Sequence, residues 1–175
     1  QLKVERMVTT THTAKQYLTN GLADLSFLCA VKPSSLLEYV PLLHDTLCLA
    51  VPESMISAEI RAGGLAACGC LPFVLPDEQQ FGRELVDRLF RREHLYPISL
   101  YTAAGWKDLV RLADEGYGAA ILPERSAARL EHCEVLPLEN APSCDFVSAA
   151  PRYAEPSPAC MTLIELARKH FATHG

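Results

Sequence analysis

The stretch WKDLVRLADEGYGAAILPE, residues 106–124, decides the reading of the fold. Its apolar positions Trp106, Leu109, Val110 and Ala113 follow the repeat of an amphipathic helix. Gly116 and Gly118 bracket the exit, and one of them can take the left-handed conformation that ends a helix. Ala119–Leu122 then starts at once as a buried strand, which Pro123 stops. A helix turned straight into a buried strand is half of a βαβ unit. The spacing therefore predicts an α/β chain with largely parallel pairing, and function is expected where loops leave the strand ends.

Upstream, Leu71–Pro76 reads as a short buried strand, followed by the acidic turn Asp77-Glu78-Gln79-Gln80. A helix comes next, with Phe81, Leu85, Val86, Leu89 and Phe90 on one face. Arg88, Arg91, Arg92 and Glu93 lie opposite, as a solvated face or an oligomer rim. Pro97–Tyr101 is a further strand, and Thr102 is expected to cap the 106–124 helix. Nearer the start, residues 2–8 carry a strand pattern. Thr9-Thr10-Thr11 heads a helix with Ala14, Tyr17 and Leu18 on one side, Gly21 closes it, and residues 22–31 supply a buried strand. Leu47–Val51 is a strand ended by Pro52, while residues 53–70 are expected to hold a short helix around Ser57–Arg61 and a turn at Gly63-Gly64. Downstream come a helical turn within 124–134 and strands at Val135–Leu138 and Phe146–Ala150. A last helix opens at Ser157-Pro158, with Cys160, Ile164, Ala167 and Phe171 on one face.

Bulk composition narrows the function classes. The 175 residues are 49% hydrophobic and 21% charged, enough for a real core in one large domain or two small lobes. A net charge of −5, with no dense Lys/Arg run, argues against a nucleic-acid surface on this chain. No apolar run reaches the length of a membrane span, and the start shows no export signal. Seven cysteines, odd in number and scattered, favour thiols in a reducing cytoplasm. Cys68-Gly69-Cys70 lacks the spacer of a metal or redox pair. The six histidines show no ligand spacing, so no metal and no cofactor are expected. Neither a Gly-x-Ser-x-Gly elbow nor a glycine-rich phosphate loop occurs.

Four stretches in order carry a family resemblance. They are Leu18–Phe27 with its glycine and Asp24-Leu25 pair, Leu47–Pro52, Trp106–Glu124 with Gly-x-Gly and Leu-Pro-Glu, and Phe146–Phe171 with Arg152 and Ser-Pro. Together they span nearly the whole chain, which resembles the effector-binding domain of LysR-type transcriptional regulators. The resemblance implies a two-lobed type 2 periplasmic-binding-protein-like fold with a hinge of two crossing strands. Lobe I would comprise residues 1–47 plus 137–175 and lobe II residues 48–136, with crossings near Thr46–Leu49 and Glu134–Leu138. Such regulators begin with a winged helix-turn-helix, and their sensor domain with a strand and helix that precede the position of Gln1. DNA would be reached only through that N-terminal domain, absent from this chain.

The same resemblance implies a small effector between the lobes, no enzymatic step, and a cytoplasmic homodimer or tetramer assembled through the helix around Gly82–His94. By residue chemistry the Thr9–Thr11 and Thr102–Gly105 turns are first N-caps, though hydroxyls and N–H groups at a helix start also suit a carboxylate. The family's matching turns face the effector cleft, which makes Thr10, Thr11 and Thr102 candidate ligand contacts. Cys29, Ala30, Pro76, Asp77 and Gln79 occupy other cleft positions, and Trp106 is either core or a ring-stacking surface. A transporter's solute-binding protein is the alternative, opposed by the cysteines. A lyase on the same fold comes third, since the threonine cluster lacks the following arginine it would need.

Overall fold

The structure, a computed structural model, describes residues 4–29 and 34–174. The chain orders α1 (Thr11–Thr19), β1 (Ser26–Cys29), β2 (Leu37–Leu43), β3 (Leu47–Pro52) and α2 (Ala58–Gly63). A 3-10 turn, Gly64–Cys68, leads to β4 (Pro72–Pro76), α3 (Phe81–Arg92), β5 (Ile98–Ala103) and α4 (Trp106–Asp114). Then follow β6 (Ala120–Pro123), α5 (Glu124–Ala127), β7 (Cys133–Pro137), β8 (Phe146–Pro151) and α6 (Pro158–His174). These elements form two compact units, residues 1–44 with 144–175 and residues 45–143. The chain changes unit at His44/Asp45 and again at Ser143/Cys144.

In the first unit, β8 is the centre of a three-stranded sheet, antiparallel to both β1 and β2. Side chains alternate across it. Val147 and Ala149 pack with Leu28, Leu37 and Leu18 of α1, all buried. Phe146, one step out of phase, meets Phe171 of α6 at 5.3 Å in an edge-to-face pair. Gly21 has φ 70, the left-handed residue that a helix exit needs. Tyr153 donates from its hydroxyl, placed 3.1 Å from the Leu18 and Thr19 carbonyls, and so satisfies the last turn of α1.

The expected strand over residues 2–8 does not form in the described part of that segment. Residues 4–9 are exposed and outside any strand, with Val4 at 60% and Val8 at 80% exposure. Alternation tells which face a strand would bury, but a partner edge must also lie alongside, and the described sheet is β1-β8-β2 alone.

The second unit centres on β3, buried at every position, between antiparallel β6 and β7. β4 and β5 pair in parallel. A parallel bridge from Phe73 to Ala119 ties that pair to β6, through Ala119 N–H to Pro72 O and Val74 N–H to Ala119 O, each 2.9 Å. The approach requires a glycine: a Cβ on Gly118 would stand 2.7 Å from Pro72 O. Over this sheet lies α4, with Leu109 and Ala113 fully buried and Trp106 and Val110 partly so, as the amphipathic pattern predicts. Gly116 ends the helix at φ 81.

Two further expectations are corrected. Among the described residues pairing is largely antiparallel, with β4–β5 the one parallel ladder, because β8 and β3 are inserted as centres between strands distant in sequence. Thr102 is not the cap of α4 but lies within β5, and Gly105 occupies the N-cap. β5 itself is an edge strand with only Ala103 buried.

Replacing Leu109, fully buried under α4, by alanine should lower stability by about 2–5 kcal/mol. Gly118→Ala should cost about 1–3 kcal/mol by forcing β6 from β4. Urea unfolding followed by circular dichroism measures both; a Gly118→Ala protein as stable as the parent would contradict the close-approach account.

Candidate functional site

The parallel strands β4 and β5 end level with one another, Pro76 opposite Ala103, and Asp77 N–H donates to Ala103 O at 2.8 Å. Two loops therefore leave one end of the sheet side by side and each runs into a helix. Open ends of parallel strands are where α/β folds place ligands.

The first loop is partly satisfied by its own groups, although α3, like α4, has no side-chain cap. The Asp77 carboxylate accepts Gln79 N–H at 3.0 Å, and Gln80 N–H donates to Asp77 O at 2.9 Å. Arg83 holds the strand end from behind, donating from Nη1 to Pro76 O at 3.2 Å and from Nε to Asp87 Oδ1 at 2.9 Å. Pro76 is buried and Gln79 exposed. The second loop is open. Gly105 takes extended backbone at φ −173, no side chain caps α4, and Asp108 is the acidic residue in its first turn. The uncapped amides give this end partial positive character. Thr102 is exposed beside it, and Trp106, half-buried, packs against the core of this unit.

Five expected residues, Pro76, Asp77, Gln79, Thr102 and Trp106, thus share one end of the second unit. The others belong to the first. Thr10 is the N-cap of α1: its Oγ1 accepts Thr13 N–H at 3.3 Å and lies 3.1 Å from Thr13 Oγ1. Thr11 stands half-buried in the first turn, and half-buried Cys29 ends β1. Ala30 lies outside the described residues. Sequence reading missed Arg83, whose i,i+4 spacing to Asp87 resembles an ordinary surface pair, and the open cap at Gly105.

The thiols are placed as packing groups. Burial pushes Cys48 up to about 12, and it donates to Leu122 O at 3.4 Å. It likewise raises Cys68 and Cys133 to about 11. Cys68 is buried and Cys70 exposed, so the Cys-Gly-Cys pair does not converge. Among the described residues no three His, Cys, Asp or Glu gather as a metal site, and no helix is long and apolar enough to cross a membrane.

The family profile of the LysR substrate binding domain matches residues 1–172. The chain belongs to that family. The fold agrees with solved LysR-type domains. With the effector binding domain of QuiR in complex with shikimate, the TM-score is 0.74 at 21% identity, over 95% of this chain and 80% of that one. The Synechocystis PCC6803 CcmR regulatory domain in complex with 2-PG gives 0.77 at 17%, over 97% and 83%. The HypT regulatory domain from Salmonella typhimurium, in apo form, gives 0.76 at 17%, over 94% and 80%. Among curated proteins no sequence matches this one. As a LysR substrate binding domain the chain is a ligand-sensing regulatory module on a periplasmic-binding-protein-like fold.

Thiol chemistry checks the placement of the cysteines. Near pH 8 a disulfide reagent should label exposed Cys70 first, leaving Cys48, Cys68 and Cys133 unreacted until the protein unfolds. Rapid labelling of Cys48 in the native protein would contradict its burial.

Proposed function

We propose that this LysR substrate binding domain senses a small carboxylate-bearing effector, and that it does so without covalent chemistry. The observation that carries the reading is the open start of α4 beside the joined ends of β4 and β5. Asp77 already satisfies the neighbouring turn, so an incoming anion finds unspent N–H groups at Gly105–Trp106, with the Thr102 hydroxyl at hand. In the first unit the proposed contacts are the Thr10–Thr11 turn and Cys29 at the end of β1. Shikimate, bound in QuiR, is a cyclic carboxylate, which supports the ligand class.

The family resemblance draws the lobes as 1–47 plus 137–175 and 48–136, close to the two units at 1–44 with 144–175 and 45–143, and the two passages of the chain serve as the hinge. An effector with higher affinity for one arrangement of the units shifts the balance between them. In the full-length regulator that shift changes the spacing of N-terminal DNA-binding domains in a cytoplasmic dimer or tetramer. Assembly uses α3 and its neighbour β5, where Ile98 and Leu100 are exposed apolar side chains on an edge strand.

A thermal-shift screen against small carboxylates, amino acids and aromatic acids tests the reading. A ligand at a hundred times its dissociation constant stabilises by about 2.7 kcal/mol, a readily measured rise in Tm. Thr102→Val and Thr11→Val should each weaken the selected carboxylate by about 1 kcal/mol. Unchanged affinity in both variants would remove these turns from the site.

A further inference from the structure

The indole of Trp106 leaves no room for a side chain on α3. A Cβ on Gly82 would stand 2.5 Å from Cζ2 of Trp106 and closer still to Cη2, with Cζ3 at 3.2 Å. These are the outer atoms of the six-membered ring, so the far edge of the indole, not its face, is seated against the first turn of α3. Gly82 is buried, and Trp106, partly buried, packs against the core cluster that includes Val74, Ala103 and Leu109. A residue at the first position of α4 is thereby lodged against the second position of α3.

The two loops of the candidate site are the segments that precede these helix starts. At their roots they are joined by Asp77 N–H to Ala103 O, and the first is braced by Arg83 on Pro76 O. At their far ends the contact that joins them is Trp106 on Gly82. We propose that Gly82 and Trp106 are the positioning pair of the effector site. The bare α-carbon of Gly82 admits the indole edge, and the seated indole sets the separation between the Asp77–Gln80 turn and the open start of α4. Trp106 then acts through those two loops rather than by stacking on a ligand ring. The proposal rests on the reading that these loops face the effector; the seating of the indole stands apart from it.

Gly82→Ala tests both, since helix propensity favours alanine and any loss comes from the displaced indole. Trp106 is the chain's single tryptophan, so its emission reports the seating directly. In Gly82→Ala the emission should move to longer wavelength and acrylamide quenching should rise, with far-ultraviolet circular dichroism unchanged. Affinity is read by calorimetry with shikimate, 2-PG and any carboxylate that raises Tm. Gly82→Ala should weaken binding by roughly tenfold, and adding Trp106→Phe, whose smaller ring clears the new methyl, should restore most of it.

Unaltered emission in Gly82→Ala would overturn the seating. Unaltered affinity, or a loss that Trp106→Phe does not repair, would overturn the positioning role. Should Gly82→Ala not fold, Trp106→Phe alone decides, because shortening the wedge must then weaken binding while the fold is kept. If the parent protein binds none of the probes, the effector reading fails and the positioning role with it, while the emission measurement still judges the seating.

Discussion

The centre of each three-stranded sheet is the first strand the chain forms after changing unit. β3 follows the passage at His44/Asp45 and is buried along its whole length between β6 and β7; β8 follows the return at Ser143/Cys144 and lies between β1 and β2. A strand paired on both edges is the hardest part of a sheet to remove, so neither passage can slip in register without breaking two ladders. Around the passages the polar groups are paired. The Asp45 carboxylate accepts Thr46 N–H at 2.9 Å, Thr46 O accepts Glu124 N–H at 2.9 Å, and Thr46 bridges Ser143. Burial of Asp45 raises its pKa, against the lowering influence of the Thr46 N–H. On the first unit's side, His44 Nδ1 and Asp145 Oδ1 meet at 2.6 Å in an exposed pair, which adds little stability.

The same constraint explains what was legible in the sequence and what was not. Local patterns were sufficient where an element's environment is local: the Trp106–Asp114 helix, its glycine exit and the strand after it follow from residue order alone. The sense of pairing was not legible, because nothing within Leu47–Pro52 or Phe146–Pro151 states which distant strands will flank them. Residues 4–9 show the complementary failure: an alternating run specifies a face, while burial depends on what else comes to cover it. Thr102 was mistaken for a cap because hydroxyl residues favour that role, yet β5 runs on past it and the chain turns at Gly105.

The candidate site was legible in the sequence only through the family resemblance, which puts Asp77, Gln79, Thr102 and Trp106 at cleft turns. That the loops carrying them leave one sheet end side by side is a consequence of the parallel β4–β5 pairing, which residue order alone does not state. Which of them keeps unspent hydrogen-bonding capacity required coordinates. The Asp77 carboxylate is engaged with Gln79 N–H and Thr10 with Thr13 N–H, whereas the starts of α3 and α4 have no side-chain cap. Gly82 carried no signal of its own: a glycine early in a helix looks like a weak position, and only the indole above it gives the missing methyl a purpose.

Hydrogen exchange measured by mass spectrometry, with and without the carboxylate selected by Tm, tests the central claim most directly. If the effector is held by loops at the sheet ends, exchange should slow over residues 102–107 and 77–82 of the second unit and over residues 9–13 of the first. Protection confined to the exposed face of β5, or spread evenly over the chain, would contradict an effector held by these loops.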